Sequence, residues 1–136
     1  MSKVAVVYWS GTGNTEAMAG AVGEGAQAKG LEVEVMSVDS FTADMADNYT
    51  GIAFGCPSMG TEVLEESEFQ PMWDDVKGKL EGKTIVLFGS YGWGDGEWMR
   101  EWEADCTVTV AGTYICNETP DDEALEECKA LGEKLA

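Results

Sequence analysis

Two short stretches of this chain are apolar without interruption: Lys3 to Trp9 reads KVAVVYW and Thr84 to Gly89 reads TIVLFG. A strand with one wet face alternates apolar and polar residues, so an unbroken apolar run marks a strand buried on both faces. Gly51 to Gly55 (GIAFG) reads as a third short strand, ending at Cys56-Pro57. Between these runs the spacing becomes helical. Met18, Ala21, Val22 and Gly25 share a stripe in Thr15 to Lys29, with Gly30 placed as a C-cap. Gly20, Gly23 and Gly25 weaken that helix intrinsically, so it relies on packing. Met72, Trp73, Val76 and Leu80 do the same in Phe69 to Leu80, and Trp98, Met99 and Trp102 in Glu97 to Asp105. A last helix, Asp121 to Leu135, carries Leu125, Cys128 and Leu131. Leu31 to Met36 (LEVEVM) alternates strictly, as a strand at a sheet edge does, and Thr107 to Cys116 is β-branched and strand-like. Strands alternating with helices imply an α/β fold with a parallel sheet covered on both faces, and right-handed crossovers leave few topologies.

The 136 residues are expected to form one domain, 1–136, with no internal repeat or linker. No run approaches the roughly 18 apolar residues of a membrane span. The N-terminus lacks the h-region of a signal peptide, so the cytoplasm is the expected location. Eight Lys and Arg face 26 Asp and Glu, a net charge of −18. That excess argues against nucleic acid and against an anionic membrane surface; it fits a basic protein partner steered electrostatically, or simply a soluble acidic surface. There is no histidine, which removes the usual general base and the Ser-His-Asp arrangement. Cys56, Cys106, Cys116 and Cys128 show no CxxC spacing, so zinc and dithiol redox motifs are unsupported. Free thiols are expected, and any electron handling falls to a bound cofactor.

Three loops follow apolar strands, and parallel strands would bring them to one end of the sheet. The first is Ser10-Gly11-Thr12-Gly13-Asn14-Thr15. Its glycines permit close approach of backbone, it opens a helix whose free N–H groups attract an anion, and its side chains are neutral donors. It lacks the lysine of a nucleoside triphosphate loop, so it suits one phosphate monoester; the plainer alternative is a Gly-rich turn with an N-cap. The second loop, Cys56 to Glu66, contains Ser58, Met59, Gly60, Thr61 and Glu62. Gly60 lets a peptide flip without a Cβ penalty, Met59 can pack on a flat ring, and Glu62 can accept from a ring N–H. Glu65, Glu66 and Glu68 extend the acidic cluster, Glu68 reading as a solvated residue. Cys56 reads as strand-end packing. The third loop is Ser90-Tyr91-Gly92-Trp93-Gly94-Asp95-Gly96. Trp93, an aromatic among glycines at a strand end, is placed to stack on a flat ring, with Tyr91 next; the alternative is a tryptophan covering a helix end.

VVYWSGTGNTEAMA (Val6 to Ala19), GCPSMGTEVLEESEF (Gly55 to Phe69) and FGSYGWGDGEWM (Phe88 to Met99) together resemble the short-chain flavodoxins of anaerobic bacteria. The likeness continues through Asn117-Glu-Thr-Pro120 and covers nearly the whole chain. It implies a flavodoxin-like three-layer sandwich, a five-stranded parallel sheet in 2-1-3-4-5 order with helices on both faces, and tight non-covalent flavin mononucleotide (FMN). By position, Ser10, Gly11, Thr12, Gly13, Asn14 and Thr15 would hold the phosphate. Ser58, Met59, Gly60, Thr61 and Glu62 would line the isoalloxazine, with Met59 on its inner face, Trp93 on its outer face and Glu62 on ring N3–H. Ser90, Tyr91, Gly92, Gly94 and Asp95 would complete the ring and ribityl contacts. The resemblance further implies a low-potential one-electron carrier, not an enzyme. It would cycle FMN mainly between semiquinone and hydroquinone and work as a monomer in place of ferredoxin, between redox proteins with basic docking surfaces.

The alternative reading is a small FMN-dependent NAD(P)H or quinone reductase on the same fold, opposed by the absence of any basic residue in the three loops. Two departures from the family stand out. Thr61 occupies a position where relatives often carry Asp or Ser. Trp102 to Gly112 is shorter than expected by about one helical turn, so that the helix there ends early or its link to the last strand is rebuilt.

Overall fold

A computed structural model describes residues 3–11, 13–59, 63–92 and 94–136. The strands are β1 (Lys3–Tyr8), β2 (Glu32–Ser37), β3 (Gly51–Gly55), β4 (Thr84–Tyr91) and β5 (Val110–Asn117). The helices are α1 (Asn14–Ala28), α2 (Phe69–Val76), α3 (Glu97–Asp105) and α4 (Asp122–Glu133). The strands form one sheet in the order β2-β1-β3-β4-β5, with every pairing parallel. The expected 2-1-3-4-5 order is therefore present.

The unbroken apolar runs are buried as their pattern required. Val4, Val6, Ala53, Val86 and Phe88 point to one face and pack under α1 and α4. Ala5, Val7, Ile52, Phe54, Ile85 and Leu87 alternate with them and point to the other, under α2 and α3. β2 sits at an edge and is largely exposed, matching its alternating sequence. Gly30 follows α1 at a φ of 85°, the left-handed conformation of a C-terminal stop. Asp121 caps α4 by accepting the Ala124 N–H at 2.8 Å.

The structure departs from the sequence expectation in β5, which starts at Val110 rather than Thr107, and in α2, and it fills in a crossover the sequence left unassigned. The crossover from β2 to β3 is made by 3-10 turns, Val38–Ser40 and Ala43–Asn48, and buries Val38, Phe41, Ala46 and Tyr49 beside α2. Its short apolar spacing has neither period. α2 ends at Val76 rather than Leu80 and passes into a 3-10 turn, Lys77–Lys79; Gly78 lies in that turn, and Leu80 is still fully buried. In the short stretch noted above, α3 keeps its expected span to Asp105, and the ladder between β4 and β5 shifts register at Ile85/Val86. Among the described residues, no helix is long and apolar enough to cross a membrane.

Candidate functional site

Because all five strands are parallel, the segments that follow β1, β3, β4 and β5 leave the same end of the sheet. The first crosses the N-terminus of α1. Gly13 stands before the helix with a φ of 93°, a conformation glycine adopts without steric cost. The Ser10 hydroxyl oxygen accepts from the N–H of Gly13 at 3.0 Å and of Glu16 at 3.3 Å. These are donors that the start of a helix leaves without an intrahelical partner and that attract an anion. Thr15 is buried, and its hydroxyl lies 3.4 Å from that of Ser90, also buried, joining the first loop to the third. Thr12 is outside the described residues.

In the second loop the Ser58 N–H donates to the Ser90 carbonyl at 3.0 Å, and Met59 and Val63 exchange both backbone hydrogen bonds at 2.9 Å. The expectations for Gly60, Thr61 and Glu62 fall outside the described residues, as does that for Trp93. Glu65 does more than extend the acidic cluster. It is buried, and its carboxylate accepts from the N–H groups of Ser67 at 2.9 Å, Glu68 at 2.7 Å and Phe69 at 2.9 Å. Burial pushes its carboxyl up, but these backbone donors outweigh that and hold it below the usual range. Its work is to fix the end of the loop to the start of α2. Glu68 is exposed, as expected, but accepts the indole N–H of Trp9 at 3.1 Å. Cys56 is fully buried; its thiol is pushed up by burial and accepts the Glu65 N–H at 3.3 Å. It packs a strand end, and a protonated thiol there is a poor nucleophile.

In the third loop Ser90 and Tyr91 end β4, and the Tyr91 ring lies against Trp98 at a centroid distance of 5.6 Å. Gly94 has a φ of 89°. Asp95 is exposed, and both its side chain and its carbonyl accept from Arg100, at 3.0 and 3.1 Å.

A cleft of ≈ 260 Å³ opens where the loops meet, lined by Trp9, Gly11, Asn14, Pro57, Ser58, Met59, Ser90, Tyr91, Gly92 and Glu118. Every one of the three loops named from sequence contributes to it. Of the described residues expected at the site, Ser10, Gly13, Thr15, Gly94 and Asp95 do not line it. Trp9, Pro57 and Glu118 line it and were not singled out. Trp9 directly precedes the first loop, so adjacency was its only signal. Glu118 follows the weakest strand pattern in the chain. The cleft fits FMN by its lining: apolar walls from Trp9, Pro57, Met59 and Tyr91, with Asn14 at the N-terminus of α1 and the neutral side chains of Ser58 and Ser90.

The family model for flavodoxin matches residues 6–132. The chain belongs to the flavodoxin family. It is 48% identical to a flavodoxin of Megasphaera elsdenii over 98% of both chains, and 43% identical to one of Clostridium beijerinckii over 96% of this chain and 97% of that one. A solution structure of two-electron reduced Megasphaera elsdenii flavodoxin superposes with a TM-score of 0.89, covering 97% of each chain. Like other flavodoxins, the protein is an FMN-binding electron carrier rather than an enzyme, and its relatives do not favour the reductase alternative.

Proposed function

We propose that FMN lies in the cleft with its phosphate against Ser10, Thr12, Gly13, Asn14 and Thr15. Its ring would lie between the Ser58–Glu62 loop, with Met59 inside and Glu62 at N3–H, and the Ser90–Asp95 loop, with Trp93 outside. The convergence of the three loops on one cleft at the carboxyl end of the sheet carries this reading. Bound FMN supplies the one-electron chemistry, and the chain's residues bind it, orient it and exclude water. Gly60 gives the second loop the freedom to turn a peptide toward the ring.

The placement of charge supports a basic redox partner docking at the cleft. Lys3 opens β1, Lys29 follows α1, Lys77, Lys79 and Lys83 lie between α2 and β4, and Lys129 and Lys134 lie toward and beyond the end of α4. All seven are thus set away from the cleft end of the sheet. The eighth cation, Arg100, is near that end and pairs with Asp95 at 3.0 Å. The protein therefore presents its least compensated acidic side around the cofactor and steers a basic surface to it. We take residues 1–136 as a single domain working as a cytoplasmic monomer.

The test is an anaerobic spectral titration of purified protein. One FMN per chain and two resolved one-electron steps are expected. A colourless protein that takes up no FMN, or one that consumes NAD(P)H unaided, would overturn the reading. Electron-transfer rates to a basic partner should fall as salt rises, and sedimentation should give a monomer.

A further inference from the structure

The turn after β5 forms a side of the cleft that the three motifs leave out. Tyr91 pairs with Asn117 as the last step of the β4–β5 ladder. Two donors then converge on the Tyr91 carbonyl: the Glu118 N–H at 2.7 Å and the Asn117 side-chain amide at 3.2 Å. A carbonyl oxygen has two acceptor sites, and here both are filled from the same side.

In a planar trans peptide the N–H points opposite to the C=O. The Tyr91 carbonyl faces β5, so the Gly92 N–H faces the other way, toward β3. There the β3–β4 ladder has run out: its last step is the Ser58 N–H to the Ser90 carbonyl at 3.0 Å. Ser58, Met59 and Gly92 all line the cleft, and no acceptor among the described residues pairs with the Gly92 N–H. Glu118 adds a second mark of function. Among the described residues it alone is a non-glycine with positive φ, at 57°. Such strain persists where the surrounding structure requires it, and here it keeps the Glu118 N–H on Tyr91 while the chain turns away.

We propose that Asn117 and Glu118 are positioning residues that clamp the Tyr91–Gly92 peptide and aim the Gly92 N–H at the bound ring. This rests on the cleft being the FMN site. A donor fixed in advance stabilises an acceptor that gains negative charge more than one that stays neutral, so the clamp favours the reduced cofactor over the oxidised one.

The experiment compares wild type with N117A, N117D and E118G. Apo-protein is titrated with FMN by flavin fluorescence, both midpoint potentials are measured anaerobically, and apo-protein is unfolded in urea. For N117A the affinity for reduced FMN should fall about three- to tenfold more than that for oxidised FMN. The corresponding drop, summed over the two one-electron potentials, is about 30–60 mV, with an unchanged urea midpoint because Asn117 is exposed. N117D, which sets an acceptor against the carbonyl, should go further. E118G relieves the positive φ and should raise the urea midpoint. Unaltered potentials in N117A and N117D would overturn the clamp, and a lower urea midpoint in E118G would overturn the strain. If N117A does not fold, N117S is measured with the same expected sign. Wild-type apo-protein that fails to take up FMN would overturn the reading of the cleft instead.

Discussion

The two faces of the sheet are packed by opposite means. Under α1 and α4 the core is mostly small and aliphatic, with Phe88 its one fully buried ring among the described residues, and glycine lets the helices touch backbone to backbone. A Cβ on Gly25 would lie 1.9 Å from the Lys129 carbonyl oxygen, and one on Gly132 would lie 1.9 Å from that of Val22. Under α2 and α3 the core is aromatic. Trp73 meets Phe54 and Trp102 edge-on at 5.2 and 5.8 Å, and Phe69 meets Trp102 at 5.3 Å. The first face is defined by side chains that are missing, so it cannot accept growth. The second is defined by ring shape and by polar groups that need partners. The division extends to the site. The Ser10–Thr15 loop opens α1 on the glycine face, while the loops after β3 and β4 lead into α2 and α3 on the aromatic face.

The contrast can be broken most directly at the glycines. Gly25→Ala or Gly132→Ala should cost more than about 3 kcal/mol in urea unfolding, since backbone cannot move aside as a side chain can. A cost below about 1 kcal/mol would mean that the helices are not locked together. Glu65→Ala should cost about 2 kcal/mol, because it strands backbone donors at the start of α2.

The pH dependence of that loss has a definite sign. The folded carboxyl of Glu65 is held below its ordinary value. Its contribution is therefore complete above the ordinary carboxylate range, about pH 4–5, and disappears as pH falls through the lowered folded value. Stability measured against pH should fall less steeply in acid for the variant than for wild type.

Two tryptophans sharpen the aromatic side. Trp73 donates its indole N–H to Asp105 at 2.9 Å, and Asp105 also takes Lys77 at 2.9 Å. Among the described residues, the buried Trp102 indole N–H finds no partner. Because an unpaired buried donor is itself costly, Trp102→Phe should be cheaper than Trp73→Phe by about 1 kcal/mol or more in the same unfolding assay. The smallest effect is expected on the outer side of α1. A Cβ at Gly20 meets nothing within 4 Å, so Gly20→Ala should stabilise by about 0.5–1 kcal/mol through helix propensity. A destabilised variant would show that α1 has less room on that side than its geometry gives.

Much of this was legible beforehand. The runs KVAVVYW and TIVLFG are buried on both faces, LEVEVM is the exposed edge, and Trp73, Trp98 and Trp102 are core. These are short-range patterns, and burial writes them into neighbouring residues. The crossover at Val38 to Asn48 was not legible, because a 3-10 path has no repeating face. Glu65 and Glu66 look alike in sequence, yet one is buried under backbone donors and the other is exposed. Trp9 and Glu118 were missed because what they line is assembled from distant segments.

The sequence by itself determined the α/β class, the strand and helix order, membership of the flavodoxin family through three motifs in order, and a Ser10–Thr15 loop of neutral donors free of lysine. Those properties reside in spacings of two to four residues and in residue type. Tertiary structure decided which groups meet: Trp9 with Glu68 across 59 positions, Thr15 with Ser90 across 75, and Asn117 and Glu118 on Tyr91. The parallel register brings those pairs together at one end of the sheet, and register is a property of the whole ladder rather than of any one strand. The loop Ser10 to Thr15 carries the chemistry that suits a phosphate, and the fold brings the other loops around it to form the cleft.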